Sequence, residues 1–215
     1  MRKLFALTLP LLLVAGCSGL FTPKSLPTSE YALAPTVASA AVPARSCAAV
    51  LRVNSVQVAQ PWGSSNILYT QTPYQVSSFA YHRWAAPPAT MLGDAITKAL
   101  AASELYRGVL GPTDPGNGDL TLAIRLLRGP VQSFPGSQSG AAAPAASTEA
   151  LGFAASLSVS DTGRLLASRE FSASTAAAPN PYGGVVAANK LAGDLIARLI
   201  GWLASVDTAS VCATP

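Results

Sequence analysis

Apolar side chains alternate with polar or small ones along three stretches in the second half of the chain. These stretches cover residues 120–126, 151–159 and 165–171, and the last two are separated by the turn residues Asp161-Thr162-Gly163. A period of two places one set of side chains on a buried face of a sheet and the other on an exposed face. The pattern therefore predicts one half-buried strand, followed by a β-hairpin.

Four shorter β-rich stretches come before or between the other elements, at residues 50–60, 67–69, 74–81 and 106–110. In the first of them apolar residues occupy both odd and even positions, and so both faces of the strand, which is typical of a strand buried on both faces. Pro73 interrupts the chain between the second and third stretches. We expect these two to pair as a further hairpin.

Two segments show the helical period instead. The first begins at Pro87-Pro88, where proline is tolerated in an opening turn, and the second carries a broad apolar face over residues 191–203. The element order is therefore β-β-β-α-β-β-β-β-α. It predicts the α+β class: a single two-layer domain, in which an antiparallel or mixed β-sheet carries both helices on one face.

The N-terminus has the layout of a secretory leader. Arg2 and Lys3 precede an apolar run over residues 4–13, which is too short to cross a bilayer of roughly 30 Å. Small residues then precede Cys17, as in a bacterial lipobox, where this cysteine is diacylated and becomes the acylated N-terminus. The alternative is an ordinary signal peptide with a chance cysteine. The residue after Cys17 is Ser18. An aspartate at this position commonly signals inner-membrane retention, so its absence favours the periplasmic face of the outer membrane.

These observations divide the chain into four parts. Residues 1–16 are the predicted lipoprotein signal peptide, and residues 17–47 are the lipidated cysteine with a flexible tether rich in proline, alanine and serine. Residues 48–206 form the predicted domain and residues 207–215 a C-terminal tail. An apolar island at Tyr31 to Pro35 interrupts the tether and is a candidate for docking on the domain.

Charge excludes one class of partner. Charged residues make up only 11% of the chain, and the net charge falls from +4 to +2 once Arg2 and Lys3 are removed with the leader. There is no basic run, so we expect no nucleic-acid partner. A surface with so few charges suits a protein that lies against a membrane or another protein.

Cys47 and Cys212 remain once Cys17 is lipidated. An even number of cysteines in an oxidising compartment favours one disulfide, which would join the two ends of the domain. The alternative is two free thiols in flexible ends.

No convincing catalytic or metal-binding set is present in the sequence. The single histidine, His82, would have to serve any Ser-His-Asp triad, and Gly136 to Gly140 has Gln138 where a nucleophile elbow needs serine. One histidine and two distant cysteines do not supply a metal site, and no cofactor motif appears. We expect neither enzyme activity nor a cofactor.

Aromatic side chains are concentrated between residues 62 and 84. Candidates for contact with a partner or a lipid are Trp62, Tyr69, Tyr81 and Trp84. Such a cluster on a neutral surface suits a contact, whereas packing in strands and core is the ordinary alternative for each of them.

These features carry a resemblance to the ABC-type transport auxiliary lipoproteins. It rests on a lipobox cysteine, a Y-x-L-x-P opening, a first strand, a second strand, and a Y-x-x-W block that leads into the first helix. In this chain they are Cys17, Tyr31-Ala32-Leu33-Ala34-Pro35, Leu51-Arg52-Val53-Asn54-Ser55-Val56, Ile67-Leu68-Tyr69, and Tyr81 to Pro88 followed by Met91-Leu92. The resemblance covers residues up to about Leu110 in detail and the rest in architecture.

The resemblance implies a non-enzymatic auxiliary or docking component of an MCE-type lipid transport system. The implied partners are an MCE-domain protein of an ABC lipid transporter, the membrane through the lipid anchor, and phospholipid as a further candidate. Two alternatives remain at this point: an outer-membrane assembly lipoprotein that binds a β-barrel or other envelope protein, and a hydrolase that uses His82.

Overall fold

The computed structural model describes residues 26–37, 47–134 and 146–212 of the 215-residue chain. The leader, Cys17, parts of the tether and the segment from Gly136 to Gly140 lie outside these residues, so the expectations for them stay predictions.

The described residues form nine strands and three helices. The strands are β1 (Ser29–Tyr31), β2 (Cys47–Val53), β3 (Gln57–Val58), β4 (Asn66–Thr70), β5 (Ser77–Trp84), β6 (Tyr106–Leu110), β7 (Leu120–Ser133), β8 (Ser147–Val159) and β9 (Leu165–Ala177). The helices are α1 (Pro88–Ala102), α2 (Pro181–Ser205) and α3 (Ala209–Cys212).

β7 is the centre of a single mixed sheet. Along one of its edges β2, β3 and β4 pair with it in succession, all parallel, at Leu120, Arg125 and Val131. Along the other edge β8 pairs with it antiparallel, and β9 follows antiparallel beyond β8. β6 flanks β2, while β5 and then β1 flank β4. One long strand therefore holds together elements from both halves of the chain.

α2 covers the apolar face of β7, β8 and β9. It begins at Pro181, and the Asn180 side chain caps it by accepting a 2.8 Å hydrogen bond from the Gly183 N–H. α1 lies beside α2 and packs against β6 and β7. The predicted α+β domain is confirmed, because the two long helices and the mixed sheet share one hydrophobic core. The predicted hairpin is also confirmed, as β8 and β9, with Phe153 opposite Phe171.

The fold begins earlier than the predicted boundary at residue 48. β1 pairs parallel with the end of β5, and Glu30 forms a salt bridge with Arg83. Beyond β1, Leu33 is 4% exposed in the core, and the Ala34 N–H donates a 2.7 Å hydrogen bond to Asn189 Oδ1 of α2. The apolar island in the predicted tether is therefore part of the domain.

Three element boundaries also differ from the sequence prediction. The strand predicted over residues 50–60 is divided into β2 and β3, because the chain leaves the sheet between Val53 and Gln57. β7 continues beyond residue 126 to Ser133, through register shifts that accommodate Pro130. The predicted tail at 207–215 contains α3, which contacts β2.

Candidate docking surface

Six aromatic side chains form a continuous row across the sheet and onto the start of α2. We call this set the aromatic row, and its members in order are Phe134, Tyr69, Phe79, His82, Tyr31 and Tyr182. They come from β4, β5, β1 and α2, together with the residue that follows β7. The row therefore joins segments that are far apart in sequence.

The ring contacts are of the kinds that aromatic pairs prefer. Tyr69 and Phe79 are closest, with centroids 4.5 Å apart, and Phe134 meets Tyr69 edge-on at 6.0 Å. Phe79 meets His82 edge-on at 6.2 Å, and His82 is stacked on Tyr31 at 5.9 Å. Centroid separations of roughly 4.5–7 Å are typical of such pairs, which contribute about 0.5–1.5 kcal/mol each beyond area burial.

A register shift places Phe79 and His82 on the same side of β5. Side chains three positions apart on a regular strand point to opposite faces. Between Asn66 and Leu68, however, the pairing of β4 with β5 shifts, and β5 contributes extra residues there. This irregularity changes the parity between Phe79 and His82 and lets the row continue to Tyr31 and Tyr182.

The row becomes more exposed towards α2. Phe134 is buried, Tyr69, Phe79, His82 and Tyr31 are half-buried, and Tyr182 is 64% exposed. The Tyr31 hydroxyl lies 3.0 Å from His82 Nδ1, within hydrogen-bond distance. A row that is anchored at one end and accessible at the other offers large, rigid contact area at the surface.

A buried polar cluster lies next to the row, under the first turn of α2. It consists of Gln132, Ser147 and Glu149, each at most 2% exposed. Gln132 Nε2 donates 2.8 Å hydrogen bonds to Ser147 Oγ and to the carbonyl of Ala178, while Gln132 Oε1 has no partner within the described part of the chain. Burial raises the pKa of Glu149 to about 9, although Arg128 and the Val131 N–H act in the opposite direction.

The structure places the four aromatic candidates in different environments. Tyr69 belongs to the aromatic row, whereas Tyr81 is 48% exposed and is not part of it. Trp62 is half-buried and packs on Gly129 of β7, where an added Cβ would lie 3.1 Å from the indole. Trp84 is 2% exposed and belongs to the core, so its surface-contact interpretation is wrong and the packing alternative is supported.

The contact candidates predicted from the sequence do not include Tyr31, His82, Phe134 or Tyr182. Tyr31 and Phe134 lie outside the aromatic-rich stretch, and Tyr182 follows a proline at a helix start. Only the register of β1, β4 and β7 brings these side chains together. Because these residues are far apart in the sequence, no local sequence pattern predicts that they contact one another.

Cys47 and Cys212 are joined by a disulfide in this structure, with Cα atoms 4.8 Å apart. The bridge connects the first residue of β2 to the last residue of α3. It therefore holds α3 against the sheet and closes a loop that contains most of the domain.

A groove of about 520 Å³ lies elsewhere, between residues 32–37 and α1, lined mainly by aliphatic side chains.

The described residues provide no group of three or more His, Cys, Asp or Glu side chains that could hold a metal ion. His82 is engaged with Tyr31 and the neighbouring rings. No helix in residues 26–37, 47–134 or 146–212 has the length and apolarity required to cross a membrane.

Comparison with known proteins identifies the family. The family model "ABC-type transport auxiliary lipoprotein component" matches residues 31–201, which is most of the chain, so the protein belongs to this family. The match begins at Tyr31, inside β1, in agreement with the early start of the fold. No curated protein matches this chain.

Solved structures show the same fold. Protein XCC0632 from Xanthomonas campestris, of the family DUF330, is 23% identical; the alignment covers 82% of this chain and 94% of that one, with a TM-score of 0.69. An uncharacterized protein is 17% identical, with 83% and 97% of the two chains covered and a TM-score of 0.55. At these identities the likeness concerns the fold alone.

Proposed function

We propose that the protein is the outer-membrane-anchored auxiliary component of an ABC transport system of the MCE type, and that it acts by docking a partner rather than by catalysis. The partner is the MCE-domain protein that extends across the periplasm from an inner-membrane transporter. The cargo of the system is phospholipid or another hydrophobic compound. Membership of the ABC-type transport auxiliary lipoproteins supports the transport role.

The aromatic row carries the docking part of the proposal. Tyr182 and the half-buried rings behind it form an accessible, rigid surface at one end of the sheet. Aromatic side chains are enriched among the residues that dominate binding energy at protein interfaces. Charged residues make up only 11% of the chain, and the charged residues next to Tyr31 and His82, Glu30 and Arg83, are joined in a salt bridge.

The position of the proposed anchor is compatible with this role. Tyr31 of the row is fourteen residues after Cys17, the predicted lipidation site. At full extension that length of chain spans at most about 50 Å. Several acyl chains on one cysteine satisfy the two-signal requirement for stable membrane attachment. The row would thus remain close to the membrane surface, where it could receive the far end of a protein that crosses the periplasm.

The test is recovery of the partner from intact envelopes. The tagged, lipidated full chain is purified from gently crosslinked membranes, and bound proteins and lipids are identified by mass spectrometry. We expect an MCE-domain protein of an ABC transporter, and co-eluting phospholipid would add direct lipid handling. Recovery of a β-barrel or an assembly factor without any transporter component would overturn the proposal in favour of the assembly-lipoprotein alternative.

A further inference from the structure

Gln132 and Glu149 lie directly opposite each other on β7 and β8. Side chains of directly opposed residues lie on the same face of a sheet, with Cβ atoms roughly 4.5–5.5 Å apart. Both side chains are buried under α2, and each is close to Gly184 in its first turn. A Cβ added at Gly184 would lie 2.7 Å from Gln132 Oε1 and 3.2 Å from Glu149 Oε2. Two side-chain oxygens therefore face the same point from neighbouring strands.

One acceptor in this cluster lacks a donor. Both hydrogen bonds of the Gln132 amide nitrogen are committed, to Ser147 Oγ and the Ala178 carbonyl, and this fixes the orientation of the amide. Gln132 Oε1 has no partner in the described residues, and it lies, like Glu149 Oε2, close to the Cβ position of Gly184. The Val131 N–H already donates a hydrogen bond to the Glu149 carboxyl. An ionised carboxylate only accepts hydrogen bonds, so it could not satisfy Gln132 Oε1, whereas a protonated carboxyl supplies a donor.

We propose that the Glu149 carboxyl is protonated in the folded protein and donates its hydrogen bond to Gln132 Oε1, and that loss of this proton to solvent at alkaline pH releases the first turn of α2. This turn carries Tyr182, which contacts Tyr31 with ring centroids 6.3 Å apart. Release of the turn therefore also loosens the exposed end of the aromatic row. The cluster is a pH-sensitive latch, and its action does not depend on which partner the protein binds.

The surroundings of Glu149 favour the neutral carboxyl. From β7, Arg128 is the one charged group acting on it, and from β9 the opposed residue is the neutral Thr175. The first nine residues of α2 contain no charged side chain, and its titratable Tyr182 is exposed. From β4, Tyr69 is the residue paired with Gln132. The effect of burial, at 2% exposure, is therefore opposed by one cation, Arg128, and by the hydrogen bond from the Val131 N–H.

The direct test is a titration of the carboxyl itself. The chain contains four glutamates, at positions 30, 104, 149 and 170, so side-chain carboxyl carbons labelled with ¹³C give few and assignable signals. The full chain in detergent is titrated by NMR between pH 4 and 10, and the Glu149→Gln variant assigns the missing signal. We expect Glu149 to titrate far above the other three. A Glu149 midpoint within the range of the other glutamates would overturn the proposal.

A second measurement follows the consequence for α2. Hydrogen exchange of the amides from residues 182 to 188, corrected for intrinsic rates, is compared between pH 7 and 10 in the wild type, Glu149→Gln and the control Glu170→Gln. Glu170 is an exposed residue of β9. We expect protection of this turn to fall at high pH in the wild type and in the control but not in Glu149→Gln, whose amide imitates the protonated acid. Equal loss of protection in all three proteins would contradict the latch.

Discussion

The ring of Tyr31 is stacked on His82, with centroids 5.9 Å apart and the phenol hydroxyl 3.0 Å from Nδ1. Tyr31 belongs to a three-residue strand near the N-terminus, and His82 lies near the end of β5. This contact fixes a segment of the predicted tether, the strand β1, onto the sheet. It also completes the aromatic row, because His82 connects Phe79 to Tyr31.

Replacement of Tyr182 by alanine is expected to weaken partner binding without unfolding the protein. The side chain is 64% exposed and its ring contact with Tyr31 is at the surface, so its loss changes the free energy of unfolding by about 1 kcal/mol or less. If Tyr182 is an interface anchor, its truncation costs about 2 kcal/mol or more of binding free energy. Leu165→Ala, at the opposite end of β9 and 59% exposed, is the control. Equal binding by both variants, measured on purified protein and partner, would remove Tyr182 from the interface.

Replacing either of two glycines of α2 by alanine is expected to change the free energy of unfolding, in opposite directions at the two positions. A Cβ at Gly193 would lie 2.4 Å from the Thr36 carbonyl, whereas a Cβ at Gly201 meets nothing within 4 Å. Gly201→Ala should therefore stabilise the protein by about 0.5–1 kcal/mol, because alanine has the higher helix propensity. Gly193→Ala should destabilise it by about 1–3 kcal/mol through overpacking.

Urea unfolding of both glycine variants measures these free energies. The Gly193→Ala result reports specifically on residues 32–37, which have to move away from α2 to make room for the methyl group. A gain in stability at both positions would show that the segment after β1 is not docked on α2 in solution.

Loss of the disulfide is expected to destabilise the domain strongly. The bridge between Cys47 and Cys212 spans 165 residues of sequence, so it constrains a long loop of the unfolded chain. Removing a native disulfide typically costs about 2–5 kcal/mol. The variant Cys47→Ser/Cys212→Ser should therefore unfold at lower urea concentration than the oxidised wild type. A reductant should lower the urea midpoint of the wild type and leave that of the double variant unchanged. A wild type whose urea midpoint does not change with reductant would mean that the two thiols are not paired.

Trp84 is expected to act through packing and not through contact with a partner. Truncation to alanine should lower the free energy of unfolding by about 3–5 kcal/mol, because the side chain is 2% exposed. Trp84→Phe should cost clearly less, since it retains most of the apolar volume and removes the indole N–H, which has no hydrogen-bond partner within the described residues. Thermal unfolding of the two variants measures the difference. Unchanged stability of Trp84→Ala would return Trp84 to the candidate contacts.

Much of the fold could be predicted because its patterns are local. The hairpin of β8 and β9 shows alternation over most of its length, and both long helices show an apolar face. β1 has only three residues and no period of its own; it exists because β5 offers an unpaired edge. The true length of β7 was hidden for a related reason, since Pro130 and two register shifts interrupt its alternation.

The candidate site was less accessible to sequence reasoning. Tyr69 was identified from local aromatic density, but the row depends on the β5 irregularity that aligns Phe79 with His82. The buried Glu149 violates the rule that carboxylates lie on the surface, and the reason is visible only in its pairing with Gln132. Single-strand patterns do not encode such cross-strand relationships.

Site-specific photocrosslinking tests the central claim most directly. A photoreactive aromatic residue replaces Tyr182 in the lipidated full chain, and a second protein carries it at Leu165, which is similarly exposed but at the other end of β9. After irradiation of intact cells, we expect an MCE-domain protein to be crosslinked from position 182 and not from position 165. A crosslink to a β-barrel or an assembly factor from position 182, or the same MCE crosslink from both positions, would contradict docking through the aromatic row.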